Sequence, residues 1–219
     1  MLTSLIRCFV LDMLDKTEVD PLTVWLRGIL ESVTIKKVIH DGRMDADALS
    51  HLLNIQLTNI HDTSLWHRAI KGVEDCNLND VLVQNGLKPN VVRDSSVYAA
   101  NYAFWATRPL TKTMIHWASG DVALLLDLMR VQKKGASTAE AVKAEMWTVE
   151  NIEFAKNAMV EFITVRNIGP FIGSRGCNIR ALQKTTSTLI YPRGVRSDKI
   201  FLVYFNDPSS LVRVKDRAK

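Results

Sequence analysis

The sequence predicts an α/β fold with parallel strands over residues 1–132, a helical connector over 133–159 and a small α+β unit over 160–219. Before Leu65, β-branched runs alternate with segments of helical periodicity, which is the pattern of a parallel sheet. From Val160 to Lys219, eleven Lys and Arg residues stand against four Asp and Glu residues, a net charge of +7, whereas residues 1–159 carry −2. A basic unit behind a nearly neutral body favours a polyanionic partner.

Composition is that of an ordinary globular protein, with 47% hydrophobic and 23% charged residues among 219. The three cysteines form no disulfide or zinc pattern, so we expect a reducing, intracellular location, either cytoplasmic or nuclear. The apolar stretch from Leu5 to Leu14 contains Arg7 and Asp12, whereas a membrane span needs ~18 uninterrupted apolar residues. We therefore expect no membrane segment and interpret this stretch as one or two buried strands.

Caps and periodicity predict the remaining elements of residues 1–159. Asp20 as N-cap and Pro21 at the first helical position start a helix whose apolar face includes Trp25. "VTIKKVIH" and "IQLTNIHDT" predict strands, and "MDADALSHLL" predicts the helix between them. "TKTMIHWASGDVALLLDLMRVQ" predicts one long helix, which "KKGAS" ends before the connector helix "STAEAVKAEMWTVENIEFAKNAM".

The C-terminal unit contains the most specific motif of the chain, "IGSRGCNIRALQKTT". It resembles the KH family, whose pattern is I-G-x-x-G-x-x-I-x-x-[IL]-x-x-x-T. The matching positions are Ile172, Gly173, Gly176, Ile179, Leu182 and Thr186. The resemblance implies a type I KH domain of order β-α-α-β-β-α, with "RGVRSD" as its variable loop and Asp207 capping its last helix.

The KH resemblance also implies a binding site for single-stranded nucleic acid. Two glycines let a backbone approach a phosphate closely, and the following helix directs its free N–H groups there. In the family this loop clamps the backbone of about four nucleotides while a hydrophobic groove accepts bases. The implied binding residues are Ile172, Gly173, Ser174, Arg175, Gly176, Ile179 and Arg180. Two alternatives stay open: "GSRG" as a plain helix–helix turn, and a KH fold that contacts only proteins.

A second motif, "VIHDGRMDADAL", places Asp41, Asp45 and Asp47 where a strand leads into a helix. Acids at such a position suit either a metal site or the solvated first turn of a helix. Together with "NIHDTSL" and "RPLTKTMIHWASGDVALLLDL", the motif resembles the DEDD 3′–5′ exonucleases of the ribonuclease D-like and Egalitarian-like branch. That resemblance implies a ribonuclease-H-like fold in which Asp45 and Asp121 bind Mg²⁺ or Mn²⁺, and Asp62 supports the strand end without binding metal.

Two departures from the exonuclease pattern concern the chemistry. The family's D-x-E motif, which supplies two of four acids, belongs on a strand upstream of "LTSLIRCFVLDML", so we expect an N-terminally truncated, incomplete fold. Trp117 stands at the usual Tyr, and an indole N–H cannot accept a proton. His116, five residues before Asp121, has the spacing of the family's His-type branch and is the candidate catalytic base; its alternative is an ordinary exposed helix residue.

These features predict an RNA-binding protein with a 3′–5′ exonuclease-like domain. The family activity is Mg²⁺-dependent exonucleolysis by two metals that carboxylates hold around a phosphate, and we expect this activity to be lost in this chain. The alternatives are an active exonuclease in a longer form, and a catalytically dead adaptor for RNA–protein complexes. The expected partners are single-stranded RNA or single-stranded DNA and other proteins.

Overall fold

The computed structural model describes residues 7–73, 76–94, 97, 103–193 and 199–219. The chain divides into two compact units, Met1–Lys156 and Asn157–Lys219. Within the described residues, no helix is both long enough and apolar enough to cross a membrane.

The N-terminal unit is built around two short parallel strands, as the sequence predicts. β1 (Lys37–Ile39) pairs with β2 (Ile60–Asp62) so that Val38 lies opposite His61. Helices surround this pair. In chain order they are α1 (Pro21–Leu30), α2 (Arg43–Leu53), α3 (Thr63–Lys71), α4 (Leu78–Gln84), α5 (Lys112–Ala123), α6 (Leu125–Gly135) and α7 (Thr138–Asn157), with a 3₁₀ turn at Phe104–Ala106.

Helix α1 begins as the capping pattern predicts, but the segment before it is not a buried strand. The Asp20 side chain accepts the Leu22 N–H at 3.0 Å, whereas Trp25, predicted on the apolar face, is 56% exposed. The prediction of buried strands over Leu5–Leu14 is wrong for residues 7–14, where Phe9 is 75% exposed; residues 1–6 lie outside the described part. Asp12 instead forms two hydrogen bonds with the Arg108 guanidinium, at 2.7 and 2.6 Å.

The predicted long helix over residues 111–132 is two helices, α5 and α6, that meet at Leu124. Leu124 has φ −109° and ψ 4°, which ends the regular helical turn. Met114 and Trp117 of α5 are almost completely buried, and Leu125 and Leu128 of α6 belong to a separate apolar cluster with α4. A change of direction at Leu124 allows each helix to bury its own apolar side chains, which outweighs the helical propensity of this leucine-rich stretch.

A buried polar chain joins α6 to the end of β2. Gln132, 1% exposed, accepts a hydrogen bond from His61 Nε2 through its Oε1 at 3.0 Å, and its Nε2 donates to the Thr63 carbonyl at 2.8 Å. Since Oε1 can only accept, His61 Nε2 is the donor. Burial lowers the pKa of His61 to about 4, so the imidazole is neutral at physiological pH, and it stacks on Trp66 at a centroid distance of 4.3 Å.

The helix predicted as a connector contributes to the core of the N-terminal unit. Ile152 and Ala155 of α7 are buried with Ala46 of α2 and Leu57. The unit boundary lies at 156/157, close to the end of that helix. Most of α7 is therefore packed into the first unit.

The C-terminal unit has the element order strand–helix–helix–strand–strand–helix. Its elements are β3 (Met159–Thr164), α8 (Ile168–Ile172), α9 (Cys177–Thr186), β4 (Leu189–Arg193), β5 (Ile200–Phe205) and α10 (Pro208–Ala218). The antiparallel sheet has the order β3-β5-β4, and Ile163, Phe201 and Val203 on its inner face form the core with Phe171 and Val214. Asp207 caps α10 by accepting the Ser209 N–H; most of the predicted variable loop, 194–198, lies outside the described residues.

We predict that Gln132→Leu lowers the free energy of unfolding of the N-terminal unit by about 1–3 kcal/mol, because the His61 N–H and the Thr63 carbonyl lose their buried partner. All five tryptophans of the chain lie in residues 1–156, so tryptophan fluorescence during urea unfolding reports on this unit alone. Gln56→Leu is the matched control, since Gln56 is exposed. Equal midpoints for the two variants would contradict the stabilising role of Gln132.

Candidate functional site

The carboxyl ends of β1 and β2 bring two sequence motifs, "IHDG" and "IHDT", into contact. The Thr63 hydroxyl donates to the Ile39 carbonyl at 3.0 Å and lies 2.9 Å from His40 Nδ1. Burial lowers the pKa of His40 and the charge of Arg93 acts in the same direction, whereas the charges of Asp62 and Asp41 raise it. Parallel pairing therefore places a histidine and several acids at one edge of the small sheet.

Asp62 is the buried centre of this edge, with 2% of its surface exposed. One carboxylate oxygen accepts the N–H groups of Asp41 and Ser64 at 2.9 and 3.0 Å, and the other accepts that of Gly42 at 2.9 Å. Burial raises the pKa of Asp62, and the three backbone hydrogen bonds lower it. Both oxygens thus serve the backbone, and one of them also caps α3.

Asp45 lies in the first turn of α2, next to the buried carboxylate. Desolvation raises the pKa of Asp45, and the charges of Asp41 and Asp62 raise it further, although the residue is exposed at the surface. The approach of α2 to β1 requires glycine at position 42, because a Cβ there would lie 1.8 Å from Cδ1 of Ile39. Asp45 is consequently held among like charges by a tight strand-to-helix turn.

Asp121, the second predicted metal ligand, contacts residues of a different loop. Its Oδ1 accepts the Asn90 side-chain N–H at 2.9 Å and lies 3.4 Å from Nη1 of Arg93. Asn90 also donates to the Trp117 carbonyl at 3.1 Å, and a Cβ at Gly120 would lie 2.6 Å from Nδ2 of Asn90. No sequence motif points to Asn90 or Arg93, because a contact across about 30 residues leaves no periodic trace.

The candidate base His116 lies on the exposed side of α5. Trp117 beside it is 1% exposed and packs against Phe104 and Trp105, at centroid distances of 5.8 and 5.6 Å. Among the described contacts, none joins His116 to Asp45 or Asp121. The structure therefore uses position 117 for packing and leaves position 116 in solvent.

The described side chains do not fit a divalent metal pair. Among residues 7–73, 76–94, 97, 103–193 and 199–219, no group of three His, Cys, Asp or Glu side chains is close enough to hold a metal ion. Mg²⁺ prefers near-octahedral oxygen coordination, while Asp62 directs both oxygens to amides and Asp121 contacts Arg93. These acids explain the geometry of the strand ends without a metal.

In the C-terminal unit, the loop between α8 and α9 has the backbone that its glycines predict. Gly173 and Gly176 have φ values of +75° and +77°, in the region that glycine adopts without strain. A Cβ at Gly173 would lie 2.7 Å from Cγ of Asn178, and one at Gly176 would lie 2.8 Å from Nη1 of Arg180. Each glycine is thus required for its conformation and for the close approach of a neighbouring side chain.

The predicted binding residues divide into exposed and packed groups. Ser174, Arg175 and Arg180 are exposed, and Arg175 also has a positive φ of 50°, whereas Ile172 and Ile179 pack partly buried against the core. Gly176 is the N-cap of α9 and provides no side-chain cap. Side chains cap the starts of α1, α3, α4, α5 and α10, whereas α2, α6 and α8 start, like α9, without one. The Gly176 and Cys177 N–H groups donate to the Gly173 and Ser174 carbonyls of the loop, so a backbone turn, and no side chain, precedes α9.

A family model described as 3′-5′ exonuclease matches residues 3–133. The chain belongs to this 3′–5′ exonuclease family. The matched part contains the edge formed by His40, Asp45 and Asp62, as well as Asp121 on α5. No curated protein matches the chain.

Solved structures of Trypanosoma brucei RNase D resemble the chain in fold. Its complex with RNA U12 is 27% identical with a TM-score of 0.50, covering 60% of this chain and 46% of that one. RNase D alone is 23% identical with a TM-score of 0.53, covering 74% and 58%, and its GMP complex is 22% identical with a TM-score of 0.53, covering 74% and 51%. The chain spans about half the length of these relatives, and the α/β exonuclease-like fold that the sequence predicts for residues 1–132 is confirmed.

We predict that Asp45→Asn stabilises the N-terminal unit of this exonuclease-family chain at neutral pH, because it removes a desolvated charge beside Asp41 and Asp62. Since the folded-state pKa lies above 3.8, the folded state binds the proton more tightly, and stability falls as pH rises from 3.8 through the raised pKa. The gain should be present at pH 7 and shrink towards pH 4 in urea unfolding followed by tryptophan fluorescence. A gain of equal size at both pH values would show that charge is not its cause.

We predict that Asp62→Asn destabilises the N-terminal unit, although it makes the same change of charge as Asp45→Asn. An amide replaces one acceptor oxygen with a donor, so at least one of the N–H groups of Asp41, Gly42 and Ser64 loses its partner. The cost should be about 1–3 kcal/mol, measured in the same urea experiment at pH 7. If Asp62→Asn and the unsubstituted chain were equally stable, Asp62 would not have the structural role inferred here.

Proposed function

We propose that this chain is an RNA-binding member of the 3′–5′ exonuclease family in which the C-terminal unit acts as a KH-type module. The nuclease fold is proposed to lack metal-dependent activity and to provide a surface for other proteins. The observation that carries the binding proposal is the loop Gly173–Gly176, where two positive-φ glycines precede a helix start without a side-chain cap.

The arrangement of the C-terminal unit supports the KH assignment. Its element order and its β3-β5-β4 antiparallel sheet are compatible with the β-α-α-β-β-α order that the KH resemblance implies. The glycine loop falls between the two adjacent helices α8 and α9. The matched Ile172, Ile179 and Leu182 pack together against the core, which fixes the loop at the surface.

The chemistry of the loop suits a phosphate of a single-stranded nucleic acid. Glycine leaves space for an oxygen to reach the backbone, and the α9 N–H groups and helix dipole favour negative charge. Arg175 and Arg180 are exposed beside the loop, and guanidinium groups bind phosphate in a bidentate geometry. The charge of +7 over residues 160–219 adds a long-range attraction for polyanions.

RNA is proposed as the natural ligand on the basis of a relative. Trypanosoma brucei RNase D, 27% identical over the matched part, has been solved with RNA U12. A KH-type clamp contacts mainly the backbone, so single-stranded DNA remains the ligand to compare with RNA.

The loss of metal-dependent activity is proposed from the engagement of the acids. Within the described residues, Asp62 is occupied by three amides and Asp121 by Asn90 and Arg93. Of the two predicted metal ligands, only Asp45 has no side-chain partner among the described contacts, whereas a two-metal hydrolysis relies on several carboxylates. Trp117 provides no proton acceptor, and His116 lies in solvent.

We predict that Gly173→Asp abolishes a mobility shift of 5′-labelled single-stranded RNA, because its side chain would strain the positive-φ loop, meet Asn178 and add a negative charge where a phosphate is proposed to approach. Gly169→Asp is the matched control: it makes the same change of charge four residues earlier, where a Cβ would meet nothing within 4 Å. The affinity of the unsubstituted chain should fall steeply with salt, with a slope of about −0.7 per phosphate contact. Equal loss in both glycine variants would point to net charge alone, and full binding by Gly173→Asp would overturn the clamp.

We predict no shortening of the same RNA when Mg²⁺ or Mn²⁺ is added. If a ladder of shorter products appears and Asp45→Asn abolishes it, the hypothesis of an active exonuclease would be supported. If His116→Ala abolishes the ladder, His116 would be identified as the catalytic base. A ladder unchanged in both variants would indicate a contaminating nuclease. If the chain gives no mobility shift and no shortened products, the result would favour a protein adaptor that does not bind RNA.

A further inference from the structure

Strand β3 of the C-terminal unit has one paired side and one open side. Among the described strands, it pairs only with β5, at the edge of the three-stranded sheet. Its six residues, "MVEFIT", contain no glycine or proline and one charge. Such a strand presents unpaired backbone groups in the geometry that another strand requires.

The outward-facing backbone groups belong to the even-numbered residues. Val165 N–H donates to the Lys199 carbonyl at 2.8 Å, so the odd-numbered residues of this ladder face β5. In an antiparallel pair the residues alternate between the two sides. The N–H and C=O groups of Val160, Phe162 and Thr164 therefore point away from β5, and no hydrogen bond to them is among the described contacts. The open edge ends at Arg166, whose N–H donates to the Ala218 carbonyl at 2.8 Å.

Apolar side chains accompany these open backbone groups. Met159 is 44% exposed, Val160 43% and Phe162 52%. Arg193, on the far strand β4, extends over the Phe162 ring with its Cζ 4.6 Å from the ring centroid. An added strand would bury this apolar surface and place its own side chains beside Phe162.

A cationic groove runs along the same edge. It has a volume of about 670 Å³ and is lined by residues 162–166, Lys199, Lys215, Ala218 and Lys219. Its described lining contains four cations, Arg166 among them, and no acid. Lys215 is 3.3 Å from Glu161 and Lys219 is 2.8 Å from Asp216, whereas Arg166 and Lys199 have no acidic partner within the described part of the chain.

We propose that the open edge of β3 binds an extended acidic peptide segment of another protein, which adds to the sheet as a fourth strand. A strand supplies alternating donors and acceptors for the groups of Val160, Phe162 and Thr164, and carboxylates on it would meet Arg166 and Lys199. This surface is distinct from the loop Gly173–Gly176 and does not depend on RNA binding there.

Two other occupants fit the edge less well. In a symmetric pair of copies, each chain would bring the same uncompensated cations towards its partner, and like charges oppose that pairing. A nucleic acid would satisfy the cations, but its backbone carries no row of donors for the outward carbonyls. The acidic peptide is the occupant that matches both the charge and the hydrogen-bonding pattern.

The test uses the full chain and a fluorescent eight-residue peptide of alternating valine and aspartate, followed by fluorescence anisotropy. We expect saturable binding that a Val/Lys peptide does not show, and that proline in place of every valine abolishes. Hydrogen exchange should slow at the amides of Val160, Phe162 and Thr164 when the acidic peptide is present. Binding of all three peptides alike, or no saturable binding of the acidic one, would overturn the proposal.

Two variants separate the backbone contribution from the charge contribution. Thr164→Pro removes an outward N–H without removing a hydrogen bond to β5, and Val160→Pro does the same if Thr164→Pro fails to fold. Each should weaken peptide binding about 3- to 10-fold, as expected for one hydrogen bond. Arg166→Glu should weaken it further at low salt, whereas Arg213→Glu, on α10 and outside the groove lining, should leave it unchanged.

Two further measurements distinguish the rival occupants. Gly173→Asp should lose RNA binding and retain peptide binding. The proposal of RNA binding at the loop and the proposal of peptide binding at β3 can therefore be rejected independently. Competition of single-stranded RNA with the peptide in the Gly173→Asp chain would overturn the proposal in favour of a nucleic-acid surface. A concentration-dependent dimer that Thr164→Pro abolishes, seen by light scattering, would overturn it in favour of a second copy.

Discussion

The buried carboxylate of Asp62 determines how the strand ends of the N-terminal unit are arranged. A charged group in the interior is costly unless hydrogen bonds compensate it, and here three backbone amides from two different turns do so. The same contact fixes the start of α3 and the turn that leads into α2. Hydrogen bonds from Gln132 to the Thr63 carbonyl and from His61 to Gln132 then connect this edge to α6.

The need to bind these backbone amides explains why a buried acid lies at the strand ends, although the described side chains there do not form a metal site. Asp62 is needed for the fold, so its presence at the strand end does not by itself indicate catalysis. Asp45 differs, because its carboxyl is desolvated among like charges and receives no compensating backbone hydrogen bond among the described contacts. The family resemblance assigns Asp62 to the support of the strand end and Asp45 to metal binding, and the three backbone hydrogen bonds of Asp62 agree with the first of these roles.

Local rules predicted the parts of the structure whose causes are local. Asp20 and Asp207 cap helices where the sequence places them, and the glycines at 173 and 176 adopt the positive φ that their spacing suggests. The failures involve tertiary packing. Leu5–Leu14 is apolar but has no buried strand in its described part, and the break at Leu124 depends on which cluster each helix enters. The pairing of Asp121 with Asn90 and Arg93 is set by a loop that no periodicity describes.

The uncapped start of α9 has a thermodynamic consequence for the C-terminal unit. Its Gly176 and Cys177 N–H groups donate to the Gly173 and Ser174 carbonyls, and no side chain caps the turn that follows. An anion that bound this turn, as proposed, would stabilise the folded unit by mass action. At a ligand concentration of 100 times Kd this linkage amounts to about 2.7 kcal/mol. The gain would be confined to residues 157–219, which contain tyrosine but no tryptophan. Ligand occupancy could therefore be followed as a shift in the melting of one unit that leaves the tryptophan signal, which comes only from residues 1–156, unchanged.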